Sequence, residues 1–218
     1  YSDNAFPPFE YLDAATGKHV GLDMDILAAI AEDQGFAYEM QNVGFDPAMG
    51  AVESGQADGM IAGMTITEER KAKYDFSDGY FVDGQIMAVA ADSTIASLED
   101  LRGQNVAAKI GTMSTQYVES IKDEYNLTIS YFEDSPTMYA AVVQGNSVAC
   151  FEDRAVVGWA IESNGIALKT VGDVIEPREY GFAVKKGENP ELIEMFNAGL
   201  QNLKDSGAYD ELLAKYGY

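Results

Sequence analysis

This chain of 218 residues carries only one cysteine and one histidine. A lone Cys150 excludes an intrachain disulfide and a cysteine-based metal cluster. Its neighbours Val148, Ala149 and Phe151 are apolar, so it reads as a buried thiol rather than a nucleophile. His19 follows Thr16-Gly17-Lys18 in a turn and has no second histidine or cysteine to work with, which removes the usual catalytic triads and histidine-rich zinc sites. Positive charge is scarce too. Fourteen Lys and Arg stand against 36 Asp and Glu, for a formal net charge of −22. Such a surface repels phosphate backbones and anionic membranes, so nucleic acid is not expected as a partner. The acidic residues are dispersed, as on a solvated face, rather than gathered in a block. No run approaches the roughly 20 apolar residues of a membrane span, and no signal-peptide pattern is present. Glycine-rich phosphate loops of the GxGxxG and GxxxxGK[ST] types are missing. Asp23 and Asp25 have the first spacing of a calcium loop but lack its glycine and terminal glutamate; Asp23 reads instead as a helix N-cap. No metal and no cofactor are expected.

What the chain does contain is an alternation of strand and helix signals. Val20-Gly21-Leu22 leads into a helix whose apolar stripe is Ile26, Leu27, Ile30 and Ala31 and whose stop is Gly35. Phe36 to Val43 reads as a strand, and Asp46-Pro47 as an N-cap with the first helical residue. Near the end, Asn189-Pro190 opens a helix striped with Leu192, Ile193, Phe196, Leu200 and Leu203 and closed by Gly207, and Leu212, Leu213 and Tyr216 mark a final short one. The pattern predicts an α/β architecture with largely parallel strands.

The chain also echoes itself at an offset of 90 residues. The stretch 51–63 runs helix end, glycine, strand, and the stretch 141–153 does the same. Asp46-Pro47 is echoed upstream by Ser135-Pro136. Two similar α/β lobes follow, each ending a strand at an equivalent place, Gly63 in one and Asp153 in the other. Ligands of open α/β sheets sit at the carboxyl ends of strands, so two lobes presenting those ends to each other would form a cleft. Gln85–Ala90 and Tyr180–Val184 both read as strands that carry the chain between lobes. The expected division is lobe 1, residues 1–84 plus 182–218, and lobe 2, residues 85–181.

The densest chemistry lies in Gly63-Met64-Thr65-Ile66-Thr67-Glu68-Glu69-Arg70. Gly63 permits close approach to the backbone. Thr65 supplies a hydroxyl and an amide, and Arg70 a planar fork that matches a carboxylate. A plain helix start, with Thr67 as N-cap and Arg70 on the exposed side, suits the same residues. Aromatic residues Phe6 and Phe45 fall in turn-rich segments and suit either the wall of a site or a satellite apolar cluster. In lobe 2, Lys109-Ile110-Gly111-Thr112-Met113-Ser114 runs from a strand into a helix start whose amides suit an anion, or an ordinary cap at Thr112 or Ser114. Asp153 stands before the helix at 154–161, where an N-cap is the plain alternative.

Together, Phe6-Pro7-Pro8-Phe9-Glu10-Tyr11, Val20–Asp25, Lys109–Thr112 and the run Thr67-Glu68-Glu69-Arg70 to Asp75-Phe76-Ser77 resemble the polar amino-acid-binding family of extracellular solute-binding proteins. These are the type II periplasmic binding folds, two-lobed and α/β, that serve ABC importers. The likeness spans essentially the whole chain, apart from a first family strand that would precede Tyr1. It implies that Arg70 clamps a ligand α-carboxylate, helped by Thr65 and by amides near Thr112 and Met113. It implies that Asp153 accepts the α-ammonium with the Gly63 carbonyl, next to Met64, and that Phe6 and Phe45 are the aromatic walls. Asp3, Lys109 and Glu152 fall near the ligand side chain. Lys109 favours a side chain with an acceptor oxygen, glutamine first. Met113 stands where glutamine binders often carry glycine, and Glu152 leaves an opening for a cationic ligand such as arginine. The expected protein is a non-catalytic, extracytoplasmic monomer that hands an amino acid to an ABC permease and is tethered at the membrane, as a lipoprotein for example. A receptor sensor domain and a cyclohexadienyl-dehydratase-like enzyme on the same fold are the other readings.

Overall fold

Helix α1 (Leu22–Gln34) begins against backbone rather than under a side-chain cap. Its first amides, those of Leu22 and Asp23, donate to the carbonyls of Pro8 and Phe9 at 2.9 and 3.0 Å. Gly21 makes this possible: a Cβ there would meet the Phe9 carbonyl oxygen at 2.0 Å. Asp23 is therefore not the N-cap that the sequence suggests. It lies inside the first turn, fully buried. The helix stops at Gly35, in left-handed backbone with φ 71°, as predicted.

The computed structural model describes residues 1–218 and divides into two units, Tyr1–Val82 with Arg178–Tyr218, and Asp83–Pro177. The first unit holds a three-stranded antiparallel sheet of β1 (Ala5–Phe6), β2 (Glu10–Leu12) and β3 (His19–Val20). After α1 come α2 (Phe45–Ser54), the short α3 (Glu68–Lys71) and β4 (Tyr74–Phe76). Strand β5 (Phe81–Ala90) carries the chain into the second unit, and β9 (Leu168–Tyr180) brings it back. Then β10 (Ala183–Lys185) pairs antiparallel with β4, and α7 (Pro190–Ser206) and α8 (Ala208–Lys215) complete the unit. One core cluster gathers Phe45, Val52, Met60, Met64 and Tyr74. Another is aromatic: the Phe9 ring lies 5.7 Å from Phe6, 5.0 Å from Phe81 and 5.3 Å from Tyr180.

The second unit is a five-stranded sheet ordered β7-β6-β8-β5-β9, with β6 (Asn105–Lys109), β7 (Thr128–Phe132) and β8 (Ala149–Asp153). Strand β6 runs parallel to both β7 and β8, and β5 runs antiparallel to β8. Helices α4 (Met113–Tyr125), α5 (Ser135–Val143) and α6 (Arg154–Asn164) cover it. Period-two alternation sorts the strand residues between two cores. Ile86 and Ala88 of β5 join Met138, Val142 and Val157, whereas Met87 and Val89 join Leu101, Val118 and Phe151.

Several local expectations need correction. Phe36–Val43 makes one bridge, Asn42 with Ser2, rather than forming a strand. Helix α2 takes Gly44 as its N-cap, so Phe45 is its first residue and Asp46-Pro47 lie within the first turn. Tyr180–Val184 is not one strand, because β9 ends at Tyr180 and β10 starts at Ala183. Strand pairing in the first unit is antiparallel rather than parallel, apart from the Ser2–Asn42 bridge.

Candidate functional site

In the first unit the chemistry gathers around Arg70. Thr67 does cap α3, accepting the Arg70 amide on its hydroxyl at 3.1 Å. Yet Arg70 is not the exposed helix residue of the plain reading, since only 7% of it is accessible. Its Nη1 donates to the Thr65 carbonyl at 2.9 Å, and its Cζ lies 5.4 Å from the Phe45 ring centroid. A guanidinium stacked on a ring and tied to a carbonyl is oriented in advance for a planar anion. Thr65 is buried, and Met64 sends its side chain into the core, so a role for Met64 at a site is limited to its backbone.

Gly63 has φ 54°, and a Cβ on it would meet Phe6 Cε1 at 2.6 Å. Its amide donates to Asp23 Oδ2 at 2.8 Å and to the Tyr80 hydroxyl at 3.2 Å, and Tyr80 donates to the same Asp23 oxygen at 2.8 Å. The peptide plane is thereby fixed from behind. Asp23, next to the buried Glu10, is pushed up to about 6, chiefly by burial. Asp3 is fully buried, and its Oδ1 closes a turn by accepting the amides of Asn4 at 2.6 Å and Ala5 at 3.4 Å. Phe6 and Phe45 are buried, at 4% and 5% exposure, because each packs on a neighbouring part of this unit.

In the second unit Lys109 ends β6, and Glu152 and Asp153 end its parallel neighbour β8. All three lie at carboxyl ends of strands, where open sheets bind ligands. Glu152 is fully buried. Its Oε2 accepts from Ser135 Oγ at 2.7 Å and from the Tyr139 hydroxyl at 3.3 Å, and its Oε1 from the Asp153 amide at 3.0 Å. Burial pushes Glu152 up to about 7, against the pull of the Lys109 ammonium. Lys109 is itself 1% exposed. Its carbonyl accepts from the hydroxyls of Thr112, at 2.8 Å, and Thr115. Thr112 caps α4 by accepting the Thr115 amide at 3.2 Å, and Met113 is the first helical residue. Of the amides expected to stand open there, that of Thr112 is taken by the Lys109 carbonyl at 3.4 Å. Asp153 occupies the N-cap position of α6 but makes no cap bond with its side chain. Its Oδ1 accepts from Gln85 Nε2 at 3.1 Å instead.

The model of the bacterial extracellular solute-binding proteins, family 3, matches residues 1–218. The chain belongs to that family. A probable histidine-binding protein of Neisseria gonorrhoeae is 32% identical over 219 residues, covering 99% of this chain and 81% of the relative. An ABC transporter glutamine-binding protein of Bacillus subtilis is 33% identical, covering 95% and 76%. Among solved structures, an ancestral arginine-binding protein bound to arginine superposes with a TM-score of 0.92 at 37% identity, covering 100% of this chain and 96% of that one. No helix of this solute-binding protein is long and apolar enough to cross a membrane.

The roles of four residues near these groups escape the sequence reading. Asp23 and Tyr80, which hold Gly63, are 40 and 17 residues away from it in the chain. Asp83 and Gln85 carry a visible signal, two polar residues at i, i+2 spacing at the head of an otherwise apolar strand. Buried polar residues on a strand imply a partner.

Proposed function

We propose that this solute-binding protein takes a polar L-amino acid, glutamine foremost, and delivers it to an ABC permease. Its α-carboxylate would meet Arg70, Thr65 and the amides around Thr112 and Met113. Its α-ammonium would meet Asp153 and the Gly63 carbonyl, with Phe6 and Phe45 flanking the chain. The observation that carries this reading is the pre-oriented Arg70 in one unit together with a strand-end carboxylate, Asp153, in the other. A zwitterion is costly to desolvate unless both charges are paired, so a ligand held by both units binds a closed state better than an open one. Differential affinity of that kind drives hinge closure.

Glutamine is favoured by the Lys109–Glu152 neighbourhood. A cation beside an acid suits a side-chain amide, which both accepts and donates. Asp3 would border the same pocket. A second reading, a cationic amino acid such as arginine, is favoured by the two adjacent acids Glu152 and Asp153. The protein is proposed to act as a monomer tethered outside the membrane. A thermal-shift screen of the twenty amino acids, followed by calorimetry, tests the proposal, because a ligand of the folded state alone raises Tm by mass action. Glutamine should give the largest rise. A larger response to arginine would move the assignment to the cationic class, and a flat response to every amino acid would overturn it.

A further inference from the structure

Helix α6 starts in an unusual way. Its N-cap position is filled by an aspartate, the residue type that caps best, yet the Asp153 side chain makes no cap bond. The amide that an N-cap would take, that of Ala155, donates instead to Asp83 Oδ2 at 2.7 Å. Asp83 comes from β5, 72 residues away along the chain. Its side chain is wholly inaccessible, and its Oδ1 lies 3.5 Å from Arg154 Nε. Two residues further along β5, Gln85 stands in register with Asp153 and donates to its Oδ1. One strand thus supplies both the cap and the group that holds Asp153 aside from it.

We infer that Asp83 and Gln85 are positioning residues for Asp153. Asp83 takes over the N-terminus of α6, and Gln85 fixes the carboxylate of Asp153 in the orientation that meets a ligand ammonium. A helix N-terminus attracts the nearest carboxylate. Without Asp83, that carboxylate is Asp153, and turning it onto the Ala155 amide withdraws it from the ligand. The inference rests on the amino-acid reading above. It extends that reading from the residues that touch the ligand to those that aim them.

The test compares ligands with and without an α-ammonium. Calorimetry is run on wild type, Asp83→Ala, Asp83→Asn and Gln85→Leu with L-glutamine and 4-carbamoylbutanoate, and with L-arginine and 5-guanidinopentanoate. Asp83→Ala should cut the preference for the amino acid over its des-amino analogue by about tenfold, the scale of one charge-assisted hydrogen bond. Asp83→Asn keeps an acceptor for the Ala155 amide and should restore most of the preference. Equal weakening of both ligands, the mark of general damage, overturns the inference, as does an unchanged ratio. Gln85→Leu, which leaves the cap in place, should shift the ratio the same way and decides the matter if Asp83→Ala does not fold. A readout without ligand separates this inference from the amino-acid reading. In Asp83→Ala the carboxyl carbon of Asp153 should titrate lower than in Asp83→Asn, which removes the same charge but keeps the acceptor for the Ala155 amide, because the freed helix N-terminus favours the charged form of Asp153. Equal midpoints in the two variants overturn the capping exchange whatever the protein binds. Wild type that binds none of the four compounds overturns the glutamine and arginine readings and leaves the titration to judge Asp83.

Discussion

The two units arm equivalent stretches of chain differently: Ala149–Asp153 is a strand, whereas the strand expected before Gly63 is reduced to one isolated bridge, Met60 with Ala183. At the offset of 90 residues, Gly63 of the first unit corresponds to Asp153 of the second. The first presents backbone there, pinned from behind by Asp23 and Tyr80, and adds its charge through Arg70 seven residues on. The second presents a carboxylate directly, aimed by Gln85. Their interiors differ as well. The first unit packs rings on rings, Phe9 among Phe6, Phe81 and Tyr180, while the second sandwiches an alternating aliphatic sheet. Similar stretches of sequence thus carry different groups, because local partners fix both the backbone and the group it presents.

The sharpest way to break this comparison is to remove one charge. Arg70→Ala should cost roughly 2–5 kcal/mol of amino-acid binding by stranding the carboxylate. Calorimetry showing unchanged affinity would remove the first unit from the clamp. Next in size is Gly63→Ala, which places a methyl 2.6 Å from Phe6 at a positive φ. It should lower stability by about 1–3 kcal/mol in urea unfolding, with a like loss of affinity. An equal effect of Gly158→Ala, where a Cβ would meet open space, would deny Gly63 its special role.

A pH series separates the units further. Burial raises Asp23 and Asp83 to about 6 and Glu152 to about 7. The folded state therefore holds these protons more tightly than the unfolded chain. Stability should rise as pH falls from about 7.5 toward 4.5, by up to about 1.4 kcal/mol per unit for each group inside its window. At lower pH it should fall again, as Asp13, Asp33, Glu53 and Asp75, whose hydrogen bonds hold them down, take up protons. Glu152→Gln should flatten the top of this limb, between about 6 and 7, where Asp23 and Asp83 contribute least, and leave the acid limb intact. A steep upper limb surviving in that variant would place the effect on other groups. The smallest effect is expected at the surface: Lys71→Ala breaks the exposed pair with Glu68 and should leave Tm unchanged within error.

Much of this was legible in the sequence, for local reasons. Glycine stops at Gly35 and Gly207 and the Asn189-Pro190 helix start depend on neighbouring residues alone, and they stand as read. Thr112 as a cap is equally local. The strand at Gln85–Ala90 was visible as an apolar run. What failed depended on distant partners. Asp23 looks like a cap until Gly21 brings the Phe9 carbonyl onto the helix start. Phe36–Val43 has strand composition, but strand character needs a neighbour, and it pairs only at Asn42. At the candidate site, the residue types of Arg70, Gly63 and Asp153 could be read, whereas the groups that orient them come from 5 to 68 residues away.

Because β5 leaves and β9 returns, residues 83–177 form an uninterrupted insertion within the other unit. As the chain emerges from synthesis, the inserted unit has every strand of its sheet once β9 is made. The host unit must wait for Phe196 of α7, which stacks on Phe182 at 5.0 Å and lies 6.2 Å from Tyr80. Its amino-terminal half, with exposed aromatic surface, is left unfinished for more than a hundred residues of translation, so the order of assembly is written into the threading of the chain.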